Sequence, residues 1–258
     1  MTLESFSFTT AQLGKQLFYY ESCDSTNRVA AQLLQENKAQ PGAVVVADFQ
    51  TAGRGQQHHQ WESAAGDNLT FSVILSPKLS VHQQFLLNII VSLAVAEALK
   101  PLLKDEIQVK WPNDIFYQDS KLGGILIQNN LQSAVIRTSV VGIGLNVNQT
   151  QFSFPRAISL AMIRHQVMNL QEILNAILLA LEHQLQSNPV ANSSKLRGLY
   201  EARLYGRGKE RTFKDKSGLL KGTIQGVEEN GSLRIKVNGQ IRHYNFHEIQ
   251  FCWSQDGC

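Results

Sequence analysis

Runs of like charge, a cysteine framework and long apolar stretches are all scarce in this sequence, and each shortage removes a class of function. No run of five or six like charges occurs, and 24 basic against 21 acidic residues leave a formal net charge of only +3. Bulk nucleic-acid binding is therefore not indicated, whereas a small anion needs only a few well-placed cations. The three cysteines, Cys23, Cys252 and Cys258, are odd in number and contain no CxxC pair. Reduced thiols in a cytoplasmic protein are the expectation. The opening MTLESFSFTT lacks the basic start and apolar core of a secretory signal, so export is not expected. The most apolar stretch, residues 85–99, falls short of the roughly 20 residues that span a bilayer. It also carries Asn88, Ser92 and Glu97, so we read it as a core helix and expect no membrane partner.

What remains is enough to fold. With 43% hydrophobic and 17% charged residues and no polar low-complexity tract, the chain can bury a core. A length of 258 residues suits one large domain with a small appendage. Period and punctuation predict a strand at 17–21, a helix at 26–36 capped by Asp24 or Ser25, and a buried strand at 43–47. A long polar loop then covers 50–67, a strand 69–75 and a long helix 81–103, stopped loosely around Pro101. Successive strands follow at 107–111, 114–117, 121–128 and 134–141, and helical spacing runs from 154 to about 205. Those helices are expected to cover one sheet face. Beyond Gly206 the texture turns to short strands at 211–213, 219–227, 233–237 and 241–246. Asn230-Gly231 and Asn238-Gly239 there suit type I′ hairpins. The expected class is α+β: a mixed-sheet domain over 1–205 and a small β domain over 206–258, closely packed because no flexible linker intervenes.

Residues suited to chemistry gather in four places. The loop GRGQQHHQW, 53–61, offers glycine backbone, the forked cation of Arg54 and the flat face of Trp61, a set that suits an anion bearing a planar ring. VKWPND, 109–114, ends a strand on Lys110, where α/β proteins tend to bind ligands. KLGGILI, 121–127, puts Lys121 before two glycines that permit close approach, and GIGLNVN, 142–148, ends an apolar strand with Asn146 as a polar contact. Taken singly, each is equally an ordinary loop, turn or glycine bulge.

Taken in order, DSTN (24–27), QTAGRG (50–55), Trp61, KWPND, KLGGIL and GIGLNVN resemble the catalytic domain of biotin protein ligases over roughly residues 15–150. The small carboxy-terminal part matches that family's SH3-like β-barrel in position and character. The resemblance is to the monofunctional type, without an amino-terminal DNA-binding domain, so no DNA partner is expected. It implies a fold of the class II synthetase-like kind and a two-step reaction: biotin and ATP give biotinyl-5′-AMP, and biotin then passes to a lysine of a biotin carboxyl carrier domain. Ser25, Thr26, Asn27 and Gln50 would hold biotin, with the backbone around Gly53, Arg54, Gly55, Gln56 and Gly123. Arg54, Lys110 and Lys121 would stabilise carboxylate, phosphate and developing charge. Trp61, Asn113 and Asn146 would serve adenine and phosphate, with Mg2+ accompanying ATP. No metal-ligand cluster stands out in the sequence itself, and the molecule is expected as a monomer or homodimer.

One departure is plain. The family loop usually reads GRGRxGRxW, so Gln56 and His59 replace arginines and His58 replaces glycine. Alternatives are a lipoate or octanoate ligase sharing the acyl logic, and a biotin-binding pseudoenzyme that makes no adenylate.

Overall fold

Residues 69–75, LTFSVIL, are buried at every position, as happens when a strand lies in a sheet covered on both faces. The computed structural model describes residues 8–56, 60–104, 107–187 and 189–253. That strand, β3, lies third in a seven-stranded sheet. The other members are β1 (Leu17–Cys23), β2 (Val44–Gln50), β4 (Ile107–Lys110), β5 (Asp114–Tyr117), β6 (Ser120–Gln132) and β7 (Val135–Leu145), in the order β1-β2-β3-β7-β6-β5-β4. β1 and β2 run parallel and the other neighbours antiparallel, so the sheet is mixed as expected.

Alternation along β2 sends Val44 and Val46 to one face and Val45 to the other. The first face meets α2 (Gln84–Leu103); after the short α3 (Leu160–Arg164), α4 (Leu170–Gln186) and α5 (Ser193–Ala202) pack on α2. The second face meets α1 (Thr26–Gln35), through Ala30 and Leu33. The helices after 154 thus cover one face, while α1 covers the other. α2 is long and apolar enough to cross a membrane, yet every residue from Phe85 to Ala96 is buried inside the protein. It continues past Pro101, which sits in the last turn.

The second sheet holds β8 (Glu210–Asp215), β9 (Gly218–Val227), β10 (Leu233–Val237), β11 (Gln240–Tyr244) and β12 (Ile249–Phe251) in the order β11-β10-β9-β8-β12. All of its neighbouring strands pair antiparallel. β12 is too short for a periodicity signal. Asn238 and Gly239 both have positive φ and join Val237 to its partner Gln240, as a type I′ turn requires. Asn230-Gly231 behaves differently: only Gly231 has positive φ, inside a longer turn closed by Glu228 N–H donating to Ser232 O at 2.8 Å. The two sheets share one apolar core. Across their seam the Trp111 indole N–H donates to Gly231 O at 2.9 Å, and Arg211 pairs with Asp119 at 3.7 Å.

Three further expectations are corrected. Ser25 occupies the N-cap of α1 but makes no side-chain cap; the Thr26 N–H is taken instead by Gln50 Oε1 at 2.8 Å, from a different element. β7 runs through Leu145, so Gly142 and Gly144 lie inside a strand rather than beyond its end. Cys252 is disulfide-bonded rather than a reduced thiol, whereas Cys23 is free.

Candidate active site

The first sheet, the amino terminus of α1, residues 54–56 and 60–62, and β12 of the second sheet enclose a cavity of about 770 Å³. At one end Ser25, Thr26 and Asn27 are buried at the start of α1, where helix amides suit a polar or anionic group. A relay fixes them. The Thr26 hydroxyl lies 3.2 Å from Gln50 Oε1, Ser72 Oγ lies 2.8 Å from Thr26 Oγ1, and the Ser72 hydroxyl donates to Asn27 Oδ1 at 2.7 Å. Asn27 in turn donates to Leu126 O and to Gln128 Oε1. This end is a rigid set of donors and acceptors.

Glycines on the sheet make the room. A Cβ on Gly142 would stand 2.9 Å from Asn27 Cγ, and one on Gly144 would overlap the Trp61 indole, 2.7 Å from Cζ2. Trp61 returns to the sheet because its N–H donates to Gly53 O at 3.0 Å and Arg54 bridges to Gln60. Its indole nitrogen is buried with no partner among the described residues, which leaves a donor for a ligand. Arg54 is exposed at the rim, and Gly55 and Gln56 line the cavity beside it. Gln57, His58 and His59 lie outside the described residues.

The other end is cationic. Lys121 Nζ lies 2.7 Å from Asp114 Oδ1, and Lys110 Nζ 3.6 Å from Asp114 Oδ2. One carboxylate thus holds two ammonium groups and leaves a net positive charge. Burial pushes the Lys110 ammonium below the usual lysine range, Asp114 opposing the shift and Lys121 adding to it. Asn113 and Asn146 are tied to the framework: Asn113 donates to Ile125 O at 2.5 Å, and Asn146 to Ile158 O at 3.1 Å.

Of the residues singled out from sequence, Ser25, Thr26, Asn27, Gln50, Arg54, Gly55, Gln56, Trp61, Lys110, Asn113, Lys121 and Asn146 all line this one cavity. Gly53 and Gly123 do not. A Cβ on either would stand 2.7 Å from a backbone oxygen, of Trp61 and Gly144 respectively, so both serve chain packing. Sequence reasoning passed over Asp114 as a site residue although it closes KWPND, and over the glycines facing Trp61 and Asn27. It also missed Phe251 of β12 and its neighbours His247 and Trp253, for which the sequence carried no signal. Among the described residues no group of three His, Cys, Asp or Glu side chains forms a metal site.

Residues 19–146 match the biotin/lipoate A/B protein ligase family. The bifunctional ligase/repressor BirA of Bacillus subtilis is 29% identical over 250 residues, which is 95% of this chain and 77% of that protein. The biotin--[acetyl-CoA-carboxylase] ligase of Mycobacterium tuberculosis is 29% identical over 205 residues, covering 77% of this chain and 75% of that one. Among solved structures, the biotin protein ligase from Aquifex aeolicus in complex with biotin and ATP aligns with a TM-score of 0.76 and 28% identity, over 92% of this chain and 98% of that chain. By its matched domain, its relatives and its fold, the chain carries a domain of the biotin/lipoate A/B protein ligase family and is a ligase.

Proposed function

We propose that the chain condenses biotin with ATP to biotinyl-5′-AMP and pyrophosphate, then transfers biotin to a lysine of a biotin carboxyl carrier domain. The observation that carries this reading is the division of one cavity into a rigid polar end at Ser25, Thr26, Asn27 and Gln50 and a cationic end at Lys110 and Lys121. A biotin carboxylate oxygen attacks the α-phosphorus and pyrophosphate leaves. The carrier amine then attacks the acyl carbon, loses a proton, and AMP leaves. Neither step needs a protein nucleophile, so positioning and charge stabilisation carry the catalysis.

In this reading the α1 end holds biotin, Lys121 meets the carboxylate and α-phosphate, and Lys110 meets the polyphosphate. Trp61, held flat against Gly144, gives the bound ligand an apolar wall and an indole donor. Asp114 keeps both lysines in place. A magnesium ion accompanying ATP would be held chiefly by phosphates and water, as is usual for that ion, and neutralises phosphate charge. The carboxylates on the cavity wall, among the described residues, are Glu62 and Asp114.

Biotin-dependent pyrophosphate release from ATP tests the reading. Release by the native chain, abolished in Lys121→Ala, is the expected result. Release driven by lipoate or octanoate instead of biotin would move the assignment to that acyl group, and binding of biotin without release would leave a binding protein.

A further inference from the structure

Lys110 ends β4 in the cavity wall, and its ammonium lies among rings from β5, from β12 and from the segment just after it. Phe116 lies 5.7 Å from Nζ, Phe251 5.1 Å and Trp253 5.5 Å, measured to ring centroids. The indole of Trp253 also carries the Arg156 guanidinium, whose Cζ is 5.1 Å from the ring centroid. Arg156 stands on a segment laced to the second lysine: Lys121 N–H donates to Arg156 O at 2.6 Å, and Ile158 N–H donates to Lys121 O at 3.0 Å.

The two outer rings arrive as a unit. Phe251 and Trp253 stack with centroids 6.4 Å apart at 28°, and β12 is paired to β8 through Phe251 and Phe213. Lys110 and Lys121 therefore line one end of the cavity, with Asp114 the carboxylate that bridges them, and Arg156 is tied to that end through the Trp253 ring. Like charges gathered around one indole repel, and a polyanion placed among them removes that repulsion. Desolvation of Lys110 points the same way, since a poorly hydrated ammonium gains more from a ring face and from a phosphate.

We propose that Phe251 and Trp253 are positioning residues that hold Lys110 at the nucleotide polyphosphate, with Arg156 tied to the same end of the nucleotide through the Trp253 ring. The proposal rests on the adenylation reading and gives the second sheet a share in nucleotide binding.

Kinetics of the full chain test it. Trp253→Leu raises KM for ATP roughly 5- to 30-fold, the range that losing two partly desolvated cation–π contacts allows. Biotin affinity, measured calorimetrically without ATP, stays native. Arg156→Ala gives a similar rise and also weakens inhibition by inorganic pyrophosphate. The double variant falls short of the product of the two single effects, because both remove one arrangement. Trp253→Phe restores most of the loss. Native KM for ATP in both Trp253→Leu and Arg156→Ala, in an enzyme that still releases pyrophosphate, overturns the proposal. So does a parallel loss of biotin affinity and melting temperature in both, which would mark a purely structural role. Absence of pyrophosphate release from the native chain defeats the adenylation reading first, and this proposal with it.

Discussion

The indole of Trp61 lies on the backbone of Gly144, so close that a single added methyl would stand 2.7 Å from Cζ2. The second strand glycine, Gly142, makes the same room for Asn27. A motif that reads in sequence as a glycine-rich strand end is thus the floor of the cavity, flat because two side chains from elsewhere must rest on it. Gly144→Ala should lift the indole and raise KM for ATP or biotin by roughly 3- to 10-fold, the size of one aromatic contact. The fold should survive, since alanine is compatible with a strand interior. Tryptophan emission with and without ligand, beside the two KM values, decides it; an unchanged pair of constants would mean that Trp61 contacts neither substrate.

Lys110 gives a pH dependence whose sign is fixed. Burial, the largest cause, lowers its folded value below the ordinary 10.5, so the folded state sheds this proton earlier than the unfolded chain. Between the lowered value and 10.5 the unfolded chain binds more protons, so this group's contribution to stability is present above 10.5 and is lost as pH falls through the lowered value. Activity runs the other way, because only the ammonium attracts phosphate. The alkaline limb of kcat/KM for ATP should therefore fall below the usual lysine range, and Lys110→Arg should move that limb upward even if the maximum rate drops. A limb that ignores the substitution would assign it to another group.

Glu182 of α4 anchors the chain far from the cavity. Its buried carboxylate accepts the backbone N–H groups of Ala11, Gln12 and Leu13 at 2.7, 2.6 and 3.1 Å. Charge-assisted bonds contribute about 1.5–3 kcal/mol each, but the freed segment can regain water, so Glu182→Ala should cost about 2–4 kcal/mol in total. Denaturant midpoints should fall while both KM values stay native.

Trp111→Phe separates packing from hydrogen bonding at the seam between the sheets. The ring contact with Phe246, at 5.3 Å, is largely kept, while the bond to Gly231 O is lost and a buried acceptor is orphaned. A loss of about 1–3 kcal/mol is expected. Amide exchange should quicken around residues 230–233, ahead of the first sheet.

Gln56 lines the cavity where the family pattern has arginine. Without that cation the adenylate should be retained less firmly, so Gln56→Arg should slow biotinyl-5′-AMP hydrolysis measured without carrier protein. An already slow leak that the substitution leaves alone would count against a role for this position.

Much of this was legible in the chain itself. Alternation and helical spacing determined the strand and helix order from Leu17 to Tyr244 to within a few residues, because burial of one or two faces imposes those periods directly. Residue chemistry likewise marks Lys110, Lys121, Trp61 and Asn27 in the sequence alone. Tertiary structure decided the rest. That Gln50 caps α1, that Gly144 supports Trp61, and that Asp114 holds two lysines are relations between distant segments, and no local period encodes them. The clearest case is Trp253: nothing in its neighbourhood in sequence points to Lys110, and only the docking of the second sheet brings its ring within 5.5 Å of that ammonium.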